Sequence, residues 1–134
     1  MNEQDKELLF IDLCGRIPYE VKVNVNSEYL SEELIKSGYD KPLVVYGVTA
    51  DGSISFTLDK FLMEYSMPIL SIKPYLFPLS SMTEEQKKEE YEICKYYLNG
   101  YESKLIDFYN KNHLDYRDLI SKGLALDATN LNIY

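Results

Sequence analysis

The chain has 134 residues, a length typical of one domain and long enough to bury a core without a disulfide or metal staple. Hydrophobic residues make up 46% of it and charged residues 27%, which excludes wholesale disorder. Acidic residues outnumber basic ones by 22 to 14, for a net charge of −8, which disfavours nucleic acid as a partner and suits solubility or a basic protein partner.

Asp5 is placed to cap a helix over Lys6–Cys14, stopped by Gly15 and kept from resuming by Pro18. Tyr19–Asn26 alternates, with Tyr19, Val21, Val23 and Val25 on one side, as a half-buried strand requires. Ser31 can cap a short helix ended by Gly38. Leu43–Leu58 reads as a hairpin turning at Asp51-Gly52. A two-residue loop there would put Ala50 opposite Ser53 and Gly47 opposite Phe56. Leu43, Val45, Ile54, Phe56 and Leu58 would then face the core. Asp59–Pro68 reads as a connector and Ile69–Lys73 as a further strand, after which Pro74 and Pro78 hold the chain extended.

Thr83 and Gln86 have the spacing of a capping box, opening a helix with Tyr91, Cys94 and Leu98 on one stripe. Gly100 permits a break before a second helical stretch carrying Tyr101, Leu105, Phe108 and Tyr109 and ending at Asn112. Asp115 is placed to cap a last short helix stopped by Gly123. The predicted fold is a single α+β domain over residues 1–134. It has an N-terminal helix, a small, mostly antiparallel sheet of three or four strands, open or barrel-like, and a helical C-terminal half.

The chemistry-bearing residues are sparse. The two cysteines, Cys14 and Cys94, lie in apolar helical patterns and read as buried reduced thiols. The polar, acidic Met1–Asp5 lacks the order of a signal peptide, and no apolar run approaches a membrane span, so a cytoplasmic protein with no membrane contact is expected. His113 is the lone histidine, at an expected helix end. Glu85 and Glu89 share a helix face, but no Glu-x-x-His accompanies them; no P-loop, dinucleotide fingerprint or nucleophile elbow is present. No catalytic residue, metal site or cofactor is assigned. Tyrosine is abundant, 13 against 5 phenylalanines and no tryptophan, which predicts rings at the rim of a core or in an interface.

Three segments together, Leu8–Val23 (LLFIDLCGRIPYEVKV), Lys73–Gln86 (KPYLFPLSSMTEEQ) and His113–Leu126 (HLDYRDLISKGLAL), resemble a family of small uncharacterised proteins encoded by phages and mobile elements of gut bacteria. That family often has Arg at the position of Phe77, Gly at that of Asp118, and Trp where Phe108 or Tyr109 stands here. The resemblance implies an accessory protein and carries no activity with it. The leading expectation is a non-catalytic binding protein acting through protein contacts. The alternative is an enzyme or small-ligand binder with a pocket between the sheet and the C-terminal helices. A third reading, a nucleic-acid-binding barrel, requires Arg16, Lys22, Lys73 and Arg117 to converge with exposed tyrosines. The candidate binding residues are Lys73, Tyr75, His113, Tyr116 and Arg117, expected to meet on one exposed face.

Overall fold

A computed structural model describes residues 2–57, 65–96 and 100–134, the side chains at 56, 57, 65 and 96 excepted. Helix α1 (Glu3–Arg16) is followed by strand β1 (Lys22–Val25), helix α2 (Glu32–Lys36) and strands β2 (Leu43–Val48), β3 (Ser53–Thr57), β4 (Tyr65–Pro68) and β5 (Ile72–Pro78). Helices α3 (Glu84–Tyr96) and α4 (Tyr101–Lys111) come next, then two short strands, β6 (Leu114–Asp115) and β7 (Leu126–Asp127). The sheet is mixed and open, in the order β4-β3-β2-β1-β5-β6, with β7 also on β5. The pairs from β4 to β5 are antiparallel, and β6 and β7 each join β5 in parallel.

The α+β class and the N-terminal helix stand, and several finer expectations are corrected. Among the described residues the sheet has seven strands rather than three or four, and it does not close into a barrel. Ile69–Ser71 is a 3-10 turn, and the strand expected there begins at Ile72 and runs through both prolines. Tyr65–Pro68, read as connector, is a strand; the rest of that connector, Leu58 with it, lies outside the described residues, as does Leu98. The C-terminal half is helical only through α4. Asp115 does act as a cap, accepting from the amides of Leu119 (2.8 Å) and Ile120 (2.9 Å), but the segment it holds is a set of turns.

The first helix starts earlier than expected. Asn2 is its cap, and its side chain and that of Asp5 bond each other's backbone amides in a capping box. Gly15 does not stop it; it lies inside the last turn, where an added Cβ would sit 2.9 Å from Asn110 Nδ2. The glycine lets α1 approach α4. Downstream, Ser31 caps α2 and the Thr83–Gln86 box opens α3, both as the sequence spacing predicts.

The hairpin turns differently from the expected two-residue loop. The Thr49 amide donates to the Ser53 carbonyl and the Gly52 amide to the Thr49 carbonyl, each at 2.9 Å. With Gly52 at φ 83°, this is a three-residue loop closed by a left-handed glycine. A bulge between Val45 and Gly47 then sets Val45 opposite Phe56 and Val48 opposite Ile54. Tyr46 is thereby turned out to solvent, while Leu43, Val45 and Ile54 stay buried; the Phe56 side chain lies outside the described residues. Leu9 and Leu13 of α1 pack on Val21, Val23, Val25, Ile72 and Leu76 to form the core. Cys14 and Cys94 are both exposed, contrary to the buried thiols expected. Cys14 stands two residues from both Asp12 and Arg16, hence on the opposite side of the helix from these buried groups.

Candidate functional site

The segments Leu8–Val23, Lys73–Gln86 and His113–Leu126 meet in one place. β1 pairs with β5, β5 pairs with β6, and Arg16 at the end of α1 donates to the Leu114 carbonyl at 2.8 Å. Arg16 and Asp12 are both fully buried, and the guanidinium grips the carboxylate through Nε (2.7 Å) and Nη2 (3.1 Å). Arg117 adds its Nε at 3.3 Å from the same carboxylate. Both guanidinium groups lie near the Tyr116 ring, that of Arg16 at 5.3 Å from its centroid and that of Arg117 at 5.0 Å. It stacks in turn on Tyr109, whose hydroxyl donates to Glu90 of α3 at 2.7 Å. Burial and the Glu90 carboxylate both push the Tyr109 phenol up.

Beside this hub lies the final segment, residues 128–134. The Tyr134 ring stacks on His113 with centroids 3.6 Å apart and tilts against Phe77 at 5.9 Å. Its hydroxyl donates to the Tyr75 carbonyl (2.8 Å) and accepts from the Lys22 amide (2.9 Å). Burial, with Arg16 and Lys22 nearby, lowers His113 to about 4, so the ring is neutral at neutral pH. Its backbone is left-handed at φ 57°, and its carbonyl accepts from Phe77, the contact that begins the β5–β6 pairing.

Of the candidate binding residues, His113, Tyr116 and Arg117 stand around this hub with Tyr75 nearly buried beneath them. Arg16, Lys22 and Arg117 converge here as well, yet each is committed inward: Arg16 and Arg117 to Asp12, and Lys22 Nζ to the Ile133 carbonyl at 2.7 Å. Lys73 remains exposed, at the mouth of a small cleft with Asn24, Asn26 and Leu126. Among the described residues, no three His, Cys, Asp or Glu side chains are grouped to hold a metal ion, and no helix is long and apolar enough to cross a membrane.

A further exposed concavity lies elsewhere, and the sequence carried no motif for it. A cleft of about 430 Å³ opens between the first half of α1 and the β2–β3 tip. Phe10, Pro68, Ile69 and Leu70 give it apolar walls, and Glu3, Glu7 and Asp51 give it carboxylates. Among the described residues its one cation is Lys6, paired with Glu3 at 3.0 Å. The tip is fixed by the Ile69 amide, which donates to the Gly52 carbonyl at 2.8 Å. The Asp51 carboxylate accepts from the Thr49 hydroxyl and from the Ser53 amide, and these bonds hold it below the usual carboxylate range. Only a fold that lays Asn2–Phe10 across the hairpin tip brings these groups together.

No family model, curated protein or solved structure matches the chain.

Proposed function

We propose that this protein is a non-catalytic binding protein, an accessory factor of a phage or mobile element, that holds a basic segment of a partner protein in the cleft between α1 and the β2–β3 tip. The observation that carries the reading is the composition of that cleft among the described residues: apolar walls with three carboxylates and one ammonium, which pairs with Glu3 and leaves Glu7 and Asp51 without a cation. A lysine or arginine suits such a place, because its aliphatic stem covers the apolar wall while its head meets the carboxylates. The net charge of −8 adds long-range attraction for a basic partner and speeds encounter at low salt. Most of the candidate residues near β5 then serve as the brace that sets α1 against the sheet.

A labelled amphipathic Lys/Leu peptide, followed by fluorescence anisotropy, tests this. The peptide should bind the wild-type chain, and Glu3→Gln with Glu7→Gln should weaken it roughly tenfold, equivalent to about 1.4 kcal/mol. Glu89→Gln with Glu92→Gln on α3 removes the same charge away from the cleft and should leave binding nearly unchanged. Equal loss from both pairs would reduce the effect to net charge and remove the cleft from the account.

A further inference from the structure

The hairpin tip brings a carboxylate to the acidic cleft with one of its two oxygens already in use. The Thr49 hydroxyl and the Ser53 amide both donate to Asp51, and both bonds fall on Oδ1, the amide at 3.1 Å. Two donors fill the two lone-pair sites of one carboxylate oxygen. Among the described residues, no hydrogen bond engages Oδ2. The donors are themselves fixed, because the Thr49 amide bonds the Ser53 carbonyl and the Ile69 amide bonds the Gly52 carbonyl. Asp51 is therefore an acceptor of set direction with a single open oxygen.

The two cations that a basic segment can carry respond differently to such an acceptor. A guanidinium binds a carboxylate most strongly through two parallel N–H···O bonds, one to each oxygen. An ammonium is a compact point charge and needs one oxygen only. At Asp51 the second bond of the guanidinium fork has no free oxygen to meet. Arginine makes it only by displacing the Thr49 hydroxyl or the Ser53 amide, whereas lysine displaces nothing. The carboxylates on α1 impose no such choice. Glu3 shares its Oε1 with Lys6, and Glu7, on a longer and more adaptable side chain, has no bonded partner among the described residues.

We propose that Asp51 is the specificity-determining residue of the cleft and selects lysine over arginine in the segment received there. This inference rests on the reading of the cleft as a site for a basic segment, and it adds which cation that segment carries at the tip. The lysine stem covers the apolar wall formed by Pro68 and Ile69, and its ammonium takes Oδ2 of Asp51. Thr49 is a positioning residue: it acts through Asp51, by occupying Oδ1.

Two labelled peptides that differ only in their cations, Lys/Leu and Arg/Leu, test this by fluorescence anisotropy with the full chain. The readout is the ratio of Kd for the arginine peptide to Kd for the lysine peptide, in which the contributions of net charge, Glu3 and Glu7 are common to every variant. Asp51→Glu lengthens the side chain beyond the tip bonds and offers both oxygens, so the ratio should fall roughly three- to tenfold. Thr49→Val keeps the shape and deletes the hydroxyl, and should move the ratio the same way by a smaller factor. That variant carries the test if glutamate loosens the tip and lowers the Tm. Asp51→Asn should weaken the lysine peptide more than the arginine peptide. A ratio unchanged across the variants, with both peptides bound, overturns the role of Asp51 and leaves the cleft as a site for basic segments. Binding of neither peptide to the wild type overturns the cleft reading and this inference with it.

Discussion

Removing the Asp12 carboxylate is the sharpest test of the brace that sets α1 against the sheet. Asp12 and Arg16 are fully buried, and the carboxylate meets Arg16 at 2.7 and 3.1 Å and Arg117 at 3.3 Å. Arg16 Nη1 has no hydrogen-bond partner of its own, so the carboxylate and the Leu114 carbonyl are what hold this guanidinium. Asp12→Ala leaves a buried cation uncompensated, a loss of about 3–5 kcal/mol. Against a typical domain stability of about 5–15 kcal/mol, that is roughly a fifth of the total or more. The Tm should fall by roughly 10–20 °C. Urea unfolding followed by far-UV circular dichroism reads the effect. The double variant Asp12→Leu, Arg16→Met removes both charges and keeps the volume, and should recover most of the loss. A single-variant loss below about 1 kcal/mol, or a double variant as unstable as the single, would refute the reasoning.

Gly15→Ala places a methyl 2.9 Å from Asn110 Nδ2, and since Asn110 is itself buried the unfolding free energy should drop by about 1–3 kcal/mol; adding Asn110→Ala should restore part of it, as a double-mutant cycle would show. For His113, the folded pKa of about 4 lies below the ordinary value of 6.5, so its contribution is present in full above pH 6.5 and is lost as pH falls towards 4. Between pH 7 and pH 5 the wild type should lose on the order of 1 kcal/mol more than His113→Gln, in paired urea titrations. Asp118 sits at φ 62°, so Asp118→Gly should leave stability unchanged or raise it by up to about 1 kcal/mol, whereas Asp118→Val should lower it, both read as shifts in Tm.

The local signals in the sequence were legible where one chemical rule decides the outcome. The Thr83–Gln86 box and the Ser31 cap are satisfied by residues three apart, so their spacing foretold their bonds. The alternation of Val21, Val23 and Val25 likewise announced the buried face of β1. Signals that depend on tertiary contact were not. Gly15 has the form of a helix stop, but its role is to admit Asn110, about a hundred residues away. The bulge at Tyr46 cannot be read from alternation, because the run of apolar residues is compatible with either register. β6 and β7 are two residues each, too short for any periodicity, and exist because β5 offers backbone partners. The candidate binding residues His113, Tyr116 and Arg117 were found as a group. Their inward commitment to Tyr134, Arg16 and Asp12 follows from burial that composition does not reveal. The acidic cleft gave no sign at all, because its carboxylates come from a helix and a turn that meet only in the folded chain.

The central claim is that the cleft between α1 and the β2–β3 tip receives a basic segment, and chemical-shift mapping tests it most directly. Titrating an isotope-labelled sample of the chain with the Lys/Leu peptide should move the amide signals of Glu3–Phe10, Ala50–Gly52 and Ile69–Leu70, the residues that line the cleft, and the movement should shrink as salt is raised. Shifts centred on α3, or spread evenly over the acidic surface with none concentrated at the hairpin tip, would contradict the account.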